Sequence, residues 1–195
     1  MFKTALLLAG LVAGLTLAVS AATAGQGGAK AKCPPPGAGP SWSCADRIGD
    51  VTGEAGPDIT RVKYDEWGVQ LFSVSFAKGS PLTHSATFTD RLSLYFTAGD
   101  RRYMLTTWAN HPKRAVLRRL PDGKSVSIKG AEATGGISPN GRTAGFSYCP
   151  HAGKNSCSGG AGYDMITRWR IKATRVMLGG ASGSSDYAPD KGWYR

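Results

Sequence analysis

The chain has 195 residues, of which 24 are Lys or Arg and 13 are Asp or Glu, so its formal net charge is +11. This length suits one domain with flanking segments, and no shift in composition marks a second domain. The positive charge predicts attraction to anionic surfaces such as cell-wall polymers, acidic polysaccharide or lipid head groups, although scattered Lys and Arg also serve solubility.

Residues 1–24 have the features of an export signal. Lys3 supplies a short positive region, residues 5–19 form an uncharged apolar run, and a small-residue cleavage site ends at Ala24. The run is also about long enough to cross a bilayer, so an uncleaved anchor is the alternative interpretation. The small residues at the end of the apolar run favour a cleaved signal over an uncleaved anchor. We therefore expect a secreted protein with no permanent membrane anchor.

The next segment, residues 25–44, is rich in Gly and Pro and predicts a flexible lead. It holds two of the four cysteines, and an even number of cysteines in an exported chain predicts disulfides. We expect the local pairs Cys33–Cys44 and Cys149–Cys157, because each closes a short loop rich in Pro, Gly or Ser. A metal site formed by Cys149, His151 and Cys157 is the alternative, although its spacing is not a usual zinc pattern.

A group of carboxylates precedes the first good strand. Its members are Asp46, Asp50, Glu54 and Asp58. They offer hard oxygen ligands in a Gly-containing loop, which suits calcium, the one cofactor that the sequence suggests. The spacing is not that of an EF-hand, and Asp before a strand also forms ordinary turns by accepting backbone hydrogen bonds. Both interpretations stay open.

From residue 58 onward, apolar and polar residues alternate with a period of two, which predicts strands separated by short turns. Residues 164–178 are the only stretch long enough for a helix, but their alternation and their Thr, Ile and Val content favour a strand. The Pro-Asp-Gly sequence at 121–123 predicts a hairpin turn. The pattern indicates an all-β fold: a single antiparallel β-sandwich of about eight strands over residues 45–178, with flexible N- and C-terminal tails, the latter at 179–195.

The sequence contains no recognisable catalytic motif, so we expect a protein that is not an enzyme. Its histidines lie in predicted loops, where a histidine is usually only solvated. Exposed aromatic residues are the best candidates for ligand binding, because their rings stack on sugars and cations. The candidates are Trp67, Tyr103 and Trp108, whereas Trp169 alternates with charged residues and is expected in the core.

Residues 46–77 resemble the opening of the DOMON-like, carbohydrate-binding-family-9-like sandwiches, including secreted actinobacterial versions and the C-terminal module of glucodextranase-type enzymes. The resemblance rests on an acidic Gly-containing loop that leads into a strand start and then an alternating Phe-x-Val-x-Phe strand, at positions Asp46, Gly49, Asp50, Asp58, Ile59, Val62, Phe72, Val74 and Phe76. It implies a β-sandwich with a binding role, toward sugars in some branches and haem in others. Residues 97–100 lack the paired aspartates of many relatives, which weakens any transferred calcium site at that turn.

Two hypotheses for function follow. The first is a secreted, non-catalytic binding module for extracellular polysaccharide or another anionic cell-surface polymer, with nucleic acid not expected as a partner. The alternative is a secreted protein-interaction or inhibitor domain that uses the disulfide-closed loop at residues 149–157. A hydrolase whose site assembles only in three dimensions is a weaker third hypothesis.

Overall fold

The computed structural model describes residues 33, 40–53, 56–66, 69–124, 132–149 and 166–188. Within these ranges no helix is long and apolar enough to cross a membrane. The regular elements in these ranges are strands, namely β1 (Ser41–Ala45), β2 (Thr52–Gly53), β3 (Ile59–Glu66), β4 (Gln70–Phe76), β5 (Phe88–Ala98), β6 (Arg101–Trp108), β7 (His111–Leu120), β8 (Glu132–Ile137), β9 (Thr143–Cys149), β10 (Ile166–Met177) and β11 (Ser182–Ala188).

The strands form two antiparallel sheets that pack as a sandwich. The five-stranded sheet has the order β1-β3-β4-β9-β8, and the six-stranded sheet has the order β2-β11-β10-β5-β6-β7. At one side β8 approaches β7 so closely that a Cβ on Gly135 would lie 3.1 Å from the Ala115 Cβ. At the other side the backbone N–H of Ile59 on β3 donates to the Asp186 carboxylate on β11. The prediction of an all-β antiparallel sandwich is confirmed.

Alternate side chains of the long strands fill the space between the sheets, as the two-residue period predicts. Apolar residues at every second position of β4, β5 and β10 are buried, namely Phe72, Val74, Phe76, Leu92, Leu94, Phe96, Trp169, Ile171 and Ala173. Trp169 has no exposed surface, which confirms its place in the core. Residues 166–177 are a strand and not a helix, as their alternation predicts, with Trp169, Ile171 and Ala173 buried at every second position.

Two expectations about the flanking segments are wrong. The C-terminal tail was expected to be loosely held from residue 179, but residues 182–188 form β11, which pairs with β10 from Ile171 to Val176. The sandwich was expected to begin at residue 45, but β1 begins at Ser41 and pairs with β3. Both strands are short of apolar residues, so their own pattern gives little sign of strand structure.

The predicted disulfide between Cys33 and Cys44 is present, with the two Cα atoms 5.1 Å apart. It fixes β1, whose Trp42 ring stacks on Tyr64 and Trp169 at centroid distances of 5.2 and 5.3 Å. Cys149 is also disulfide-bonded, so it has no free thiolate and the proposed Cys149 metal site is wrong. Its expected partner Cys157 and the neighbouring histidine at position 151 lie outside the described residues.

A buried glutamine joins the two sheets. Gln70 on β4 is 2% exposed, and its Nε2 donates to the Tyr64 hydroxyl at 2.9 Å. Its Oε1 accepts a hydrogen bond from the backbone N–H of Ile166 on β10 at 3.0 Å. The Tyr64 hydroxyl donates in turn to Glu66, and burial together with that carboxylate raises the pKa of Tyr64 above its ordinary value.

A buried ion pair holds the six-stranded sheet to the loop before β5. Asp90 has no exposed surface, and its two carboxylate oxygens accept from Nε and Nη2 of Arg175 at 2.9 and 3.0 Å. The backbone N–H of Thr83 donates to the same carboxylate at 2.8 Å. The guanidinium carbon of Arg175 also lies 3.9 Å from the centre of the Phe88 ring. This network fixes the loop that runs from β4 to β5.

The predicted Pro-Asp-Gly turn follows β7. The N–H of Gly123 donates to the Arg119 carbonyl at 2.9 Å, and Gly123 has a positive φ of 64°, a conformation that glycine adopts without strain. The segment that follows this turn lies outside the described residues from position 125 to position 131. The predicted export signal at residues 1–24 lies outside them as well.

Candidate functional site

The acidic loop does bring carboxylates together, but with a partner from the far end of the chain. Asp50 and Asp58 each place a carboxylate oxygen within 4.8 Å of a carboxylate oxygen of Asp186 on β11. Asp46 is not part of this group, and Glu54 lies outside the described residues. Of the predicted ligands, Asp50 and Asp58 lie in this group and Asp46 does not, whereas Asp186, which the sequence analysis did not include, joins them from β11.

Backbone amides hold the carboxylates of this acidic cluster, which consists of Asp50, Asp58 and Asp186. The N–H of Gly49 donates to Asp58 Oδ2 at 2.9 Å, and the N–H of Tyr187 donates to Asp186 Oδ1 at 2.7 Å. Asp58 and Asp186 are 4% and 1% exposed. Asp58 Oδ1 is buried and accepts no hydrogen bond from any residue that the structure describes.

The acidic cluster has the chemistry of a cation site. Two carboxylate charges about 4.8 Å apart repel one another by about 3.5 kcal/mol at an effective dielectric constant near 20. A bound cation or a proton relieves this repulsion. Calcium binds oxygen ligands at about 2.3–2.6 Å, so two ligands on one ion lie at most about 5 Å apart. The separations in the cluster satisfy that limit.

The predicted aromatic binding residues do not share a surface. Tyr103 is 7% exposed and stacks on Phe96 in the core, with centroids 5.4 Å apart. Trp108 lies five positions further along the same strand, so it points to the opposite face and is half-buried there. Tyr103 is therefore not exposed as expected, and Trp67 lies outside the described residues.

The outer face of the six-stranded sheet, which we call the basic face, carries Arg and Lys side chains in rows across neighbouring strands. In one row Arg170 pairs with Tyr95, Tyr95 with Met104, and Met104 with Arg118. Cross-strand partners point to the same side of a sheet. The outward basic residues on these strands are Arg91, Arg102, Arg118, Arg168, Arg170 and Lys172.

Aromatic rings lie among these cations. The guanidinium carbon of Arg170 lies 3.9 Å from the centre of the Tyr187 ring, and Lys172 Nζ lies 4.9 Å from it. Trp108 pairs with Arg91 at the other end of the face. Among the described outward positions of β5, β6, β10 and β11 and of residues 114–120 on β7, none is Asp or Glu. Sequence alternation revealed only the β10 part of this surface.

Loops at one end of the sandwich form an end cleft of about 390 Å³. It lies between the β4–β5, β6–β7 and β8–β9 connections, and its polar lining includes Thr83, His84, Asn110, Ser138 and Asn140. The sequence singled out His84 only as a loop histidine. The cleft was not foreseen, because three connections that are distant in the chain build it.

No family model, curated protein or solved structure matches this chain. The resemblance to the DOMON-like and carbohydrate-binding-family-9-like sandwiches therefore stays a prediction.

Proposed function

We propose that this protein is a secreted, non-catalytic module that binds an anionic extracellular polysaccharide through the basic face. The observation that carries this proposal is the cross-strand arrangement of Arg and Lys on the outer face of the six-stranded sheet, with tyrosine and tryptophan rings among them and no carboxylate at the described outward positions. A face of one sign of charge attracts a polymer of the opposite sign.

The arrangement suits an extended ligand. Neighbouring strands lie about 4.8 Å apart, and alternate residues along one strand lie about 6.8 Å apart. Arg168, Arg170 and Lys172 therefore form a line of cations along β10, which the other basic residues extend across the sheet. A repeating chain of acidic sugars can engage several of these cations at once, so weak single contacts add up to useful affinity.

The aromatic residues favour sugar as the carrier of the negative charge. Tyr187 and Tyr95 are half-buried among the basic side chains, and aromatic rings pack on the CH face of a pyranose. Export, which the N-terminal sequence predicts, would take the protein to a compartment where acidic polysaccharides are available. Nucleic acid, the other common polyanion, is a distinct outcome of the test below.

Charge reversal at the centre of the basic face tests the proposal. The double variant Arg170→Glu/Lys172→Glu should bind dextran sulfate and alginate at least about tenfold more weakly than the unmodified protein, a loss of about 1.4 kcal/mol or more. Arg61→Glu/Lys63→Glu is the matched control, because it makes the same charge change on β3, at positions exposed on the outer face of the other sheet. Affinity electrophoresis at several salt concentrations measures both.

Three results would contradict the proposal. Equal losses in the two double variants would mean that net charge alone governs binding. If neutral dextran retained the unmodified protein as strongly as the acidic polysaccharides do, charge would not be the cause of binding. Tighter binding to single-stranded DNA than to either acidic polysaccharide, at the same salt concentration, would assign the basic face to nucleic acid instead.

We propose a second, structural function for the acidic cluster, which is to hold calcium between the N-terminal loop and β11. The observation in its favour is Asp58 Oδ1, a buried carboxylate oxygen that accepts no hydrogen bond from the described residues. Leaving such an atom without a partner costs about 1–3 kcal/mol or more, and a cation would remove that cost. The alternative hypothesis, partner binding by the loop at 149–157, falls on residues outside the described ranges after Cys149.

A further inference from the structure

The end cleft differs from the rest of this basic protein in carrying no formal charge. Its lining contains no Lys, Arg, Asp or Glu, although the chain has 24 basic and 13 acidic residues. The polar groups that line it are hydroxyls, amides and one imidazole, at Thr83, His84, Asn110, Ser138 and Asn140. Such a surface offers hydrogen bonds without long-range attraction for ions, so it suits an uncharged polar ligand.

Two of these side chains have donors and acceptors that no described residue uses. The imidazole of His84 and the amide of Asn110 are exposed and make no hydrogen bond with the residues that the structure describes. Asn140 uses its Oδ1 to accept from Ser138 Oγ at 2.8 Å and from the Arg142 N–H at 3.1 Å, which orients its amide nitrogen as a donor. Each amide and a neutral imidazole can both donate and accept, as vicinal sugar hydroxyls also do.

The walls of the end cleft are fixed before any ligand arrives. Asp90 accepts from the N–H of Thr83 through its side chain and from the N–H of Ala109 through its carbonyl, so one buried residue positions two of the three loops. The third loop is held because Leu82 N–H donates to the Gly141 carbonyl at 3.0 Å. A Cβ at Gly141 would lie 2.0 Å from the Leu82 carbonyl oxygen, so only glycine permits this approach.

The size of the end cleft limits the ligand. A volume of about 390 Å³ lies near the lower end of the range for small-molecule sites, which is about 300–1,000 Å³. Pro112 and Pro139 contribute apolar CH surface beside the polar groups. We infer that the end cleft binds one or two units of a neutral sugar. This site is separate from the basic face, and it does not depend on the function proposed for that face.

Nuclear magnetic resonance titration tests the inference directly. A hexose has about 12 non-hydrogen atoms, and at about 0.3 kcal/mol per atom its dissociation constant is expected in the millimolar range. Glucose, xylose and N-acetylglucosamine, each added to about 50 mM, should include at least one sugar that shifts the His84 imidazole and the Asn110 and Asn140 side-chain amide signals with saturation. The backbone signals of β1 and β3 should not move.

Substitutions separate cleft binding from other effects. Asn110→Ala should raise the dissociation constant for the responding sugar at least about tenfold, because a bound sugar hydroxyl would lose its hydrogen-bond partner. His111→Ala is the control, since His111 is also exposed and is adjacent in sequence but does not line the end cleft. Both variants should bind dextran sulfate as the unmodified protein does, so failure here is distinguishable from failure of the basic face.

Two outcomes would overturn the inference. Absence of saturable shifts at His84, Asn110 and Asn140 with all three sugars would remove the neutral-sugar site. Tighter binding of glucose 6-phosphate than of glucose would show that the end cleft selects an anion, against its uncharged lining.

Discussion

The two sheets share one core but differ in where they hold polar and charged groups. In the described part of the five-stranded sheet, Gln70 is the one buried polar residue. The six-stranded sheet buries several polar residues, namely Asp90, Ser93, Thr106, Thr107, Thr174, Ser184 and Asp186. The outer faces differ as well. The six-stranded sheet carries the basic face, whereas the described outer positions of the five-stranded sheet include Ser, Thr and Gly together with Arg61 and an ion pair between Lys63 and Asp65 at 2.9 Å.

The long basic side chains of the six-stranded sheet also affect its burial. The long side chains of the basic face cover small residues between them, such as Ser93 and Thr106, whose hydroxyls lie 3.0 Å apart and are buried although they point outward. Arg and Lys stems can cover neighbouring surface while their charged ends stay available. Ion pairs therefore matter to stability chiefly where they are buried.

The largest expected effect comes from removing the buried charge of the six-stranded sheet. Asp90→Ala should lower the free energy of unfolding by about 3–5 kcal/mol, because it leaves the Arg175 guanidinium without its carboxylate. Asp65→Ala, which removes the exposed pair of the five-stranded sheet, should cost at most about 1 kcal/mol. Urea unfolding at neutral pH measures both. Similar losses would mean that the two sheets do not differ in the way described.

Calcium should act on the six-stranded sheet through β11. At a free concentration one hundred times the dissociation constant, calcium would stabilise the protein by about 2.7 kcal/mol, which is several degrees in melting temperature. Asp186→Asn should abolish this rise, and Asp65→Asn should preserve it. Thermal melting after chelator treatment, with and without added calcium, gives the comparison. An unchanged melting temperature would leave Asp50 and Asp58 as turn-forming residues only.

The one buried polar residue described in the five-stranded sheet predicts a smaller effect. Gln70→Leu should lower the free energy of unfolding by about 1–3 kcal/mol, because the Ile166 N–H loses its acceptor inside the core. Ser73→Ala is the control, since Ser73 is an exposed residue of the same strand. Chemical unfolding of the two variants provides the measurement. A neutral Gln70→Leu substitution would show that this glutamine does not join the sheets energetically.

The smallest expected effect belongs to an exposed pair at the end of β7. The Arg119 guanidinium donates to Asp122 at 2.7 Å and lowers the pKa of that carboxyl. A lowered pKa in the folded state means that the stabilisation is present above the pKa of the unfolded chain and is lost as pH falls through the folded value. Asp122→Asn should therefore lower the melting temperature slightly at pH 7, by under about 2 °C, and not at pH 2.

Alternation was sufficient to predict the central strands, because Leu92, Leu94 and Phe96 mark one face of β5 without any information from distant residues. It failed for β11, whose sequence offers little apolar surface. That strand forms because β10 presents a free edge to it, and sheet order is a non-local property. The acidic cluster was predicted only in part for the same reason. Asp50 and Asp58 are close in sequence and were predicted together, whereas Asp186 lies on β11, which was not predicted.

The basic face and the end cleft depended on sheet order even more strongly. Arg170 and Lys172 are visible as alternating charges on one strand, but their neighbours Tyr95 and Tyr187 come from strands on either side. Counting along β6 would have separated Tyr103 from Trp108, because residues an odd number apart lie on opposite faces of a strand. Three loops that are distant in sequence form the end cleft, and no local sequence pattern predicts that they lie close together.

The position of β11 between β2 and β10 has a consequence for how the molecule is made. Because Asp186 is close to the loop that precedes β3, with 127 positions separating it from Ile59, the earliest and latest parts of the domain must both be available before the sandwich can close. Such distant pairings slow folding into the millisecond-to-second range. A chain from which residues 182–188 are missing would lack this closing strand, so we expect it to stay unfolded until those residues are present.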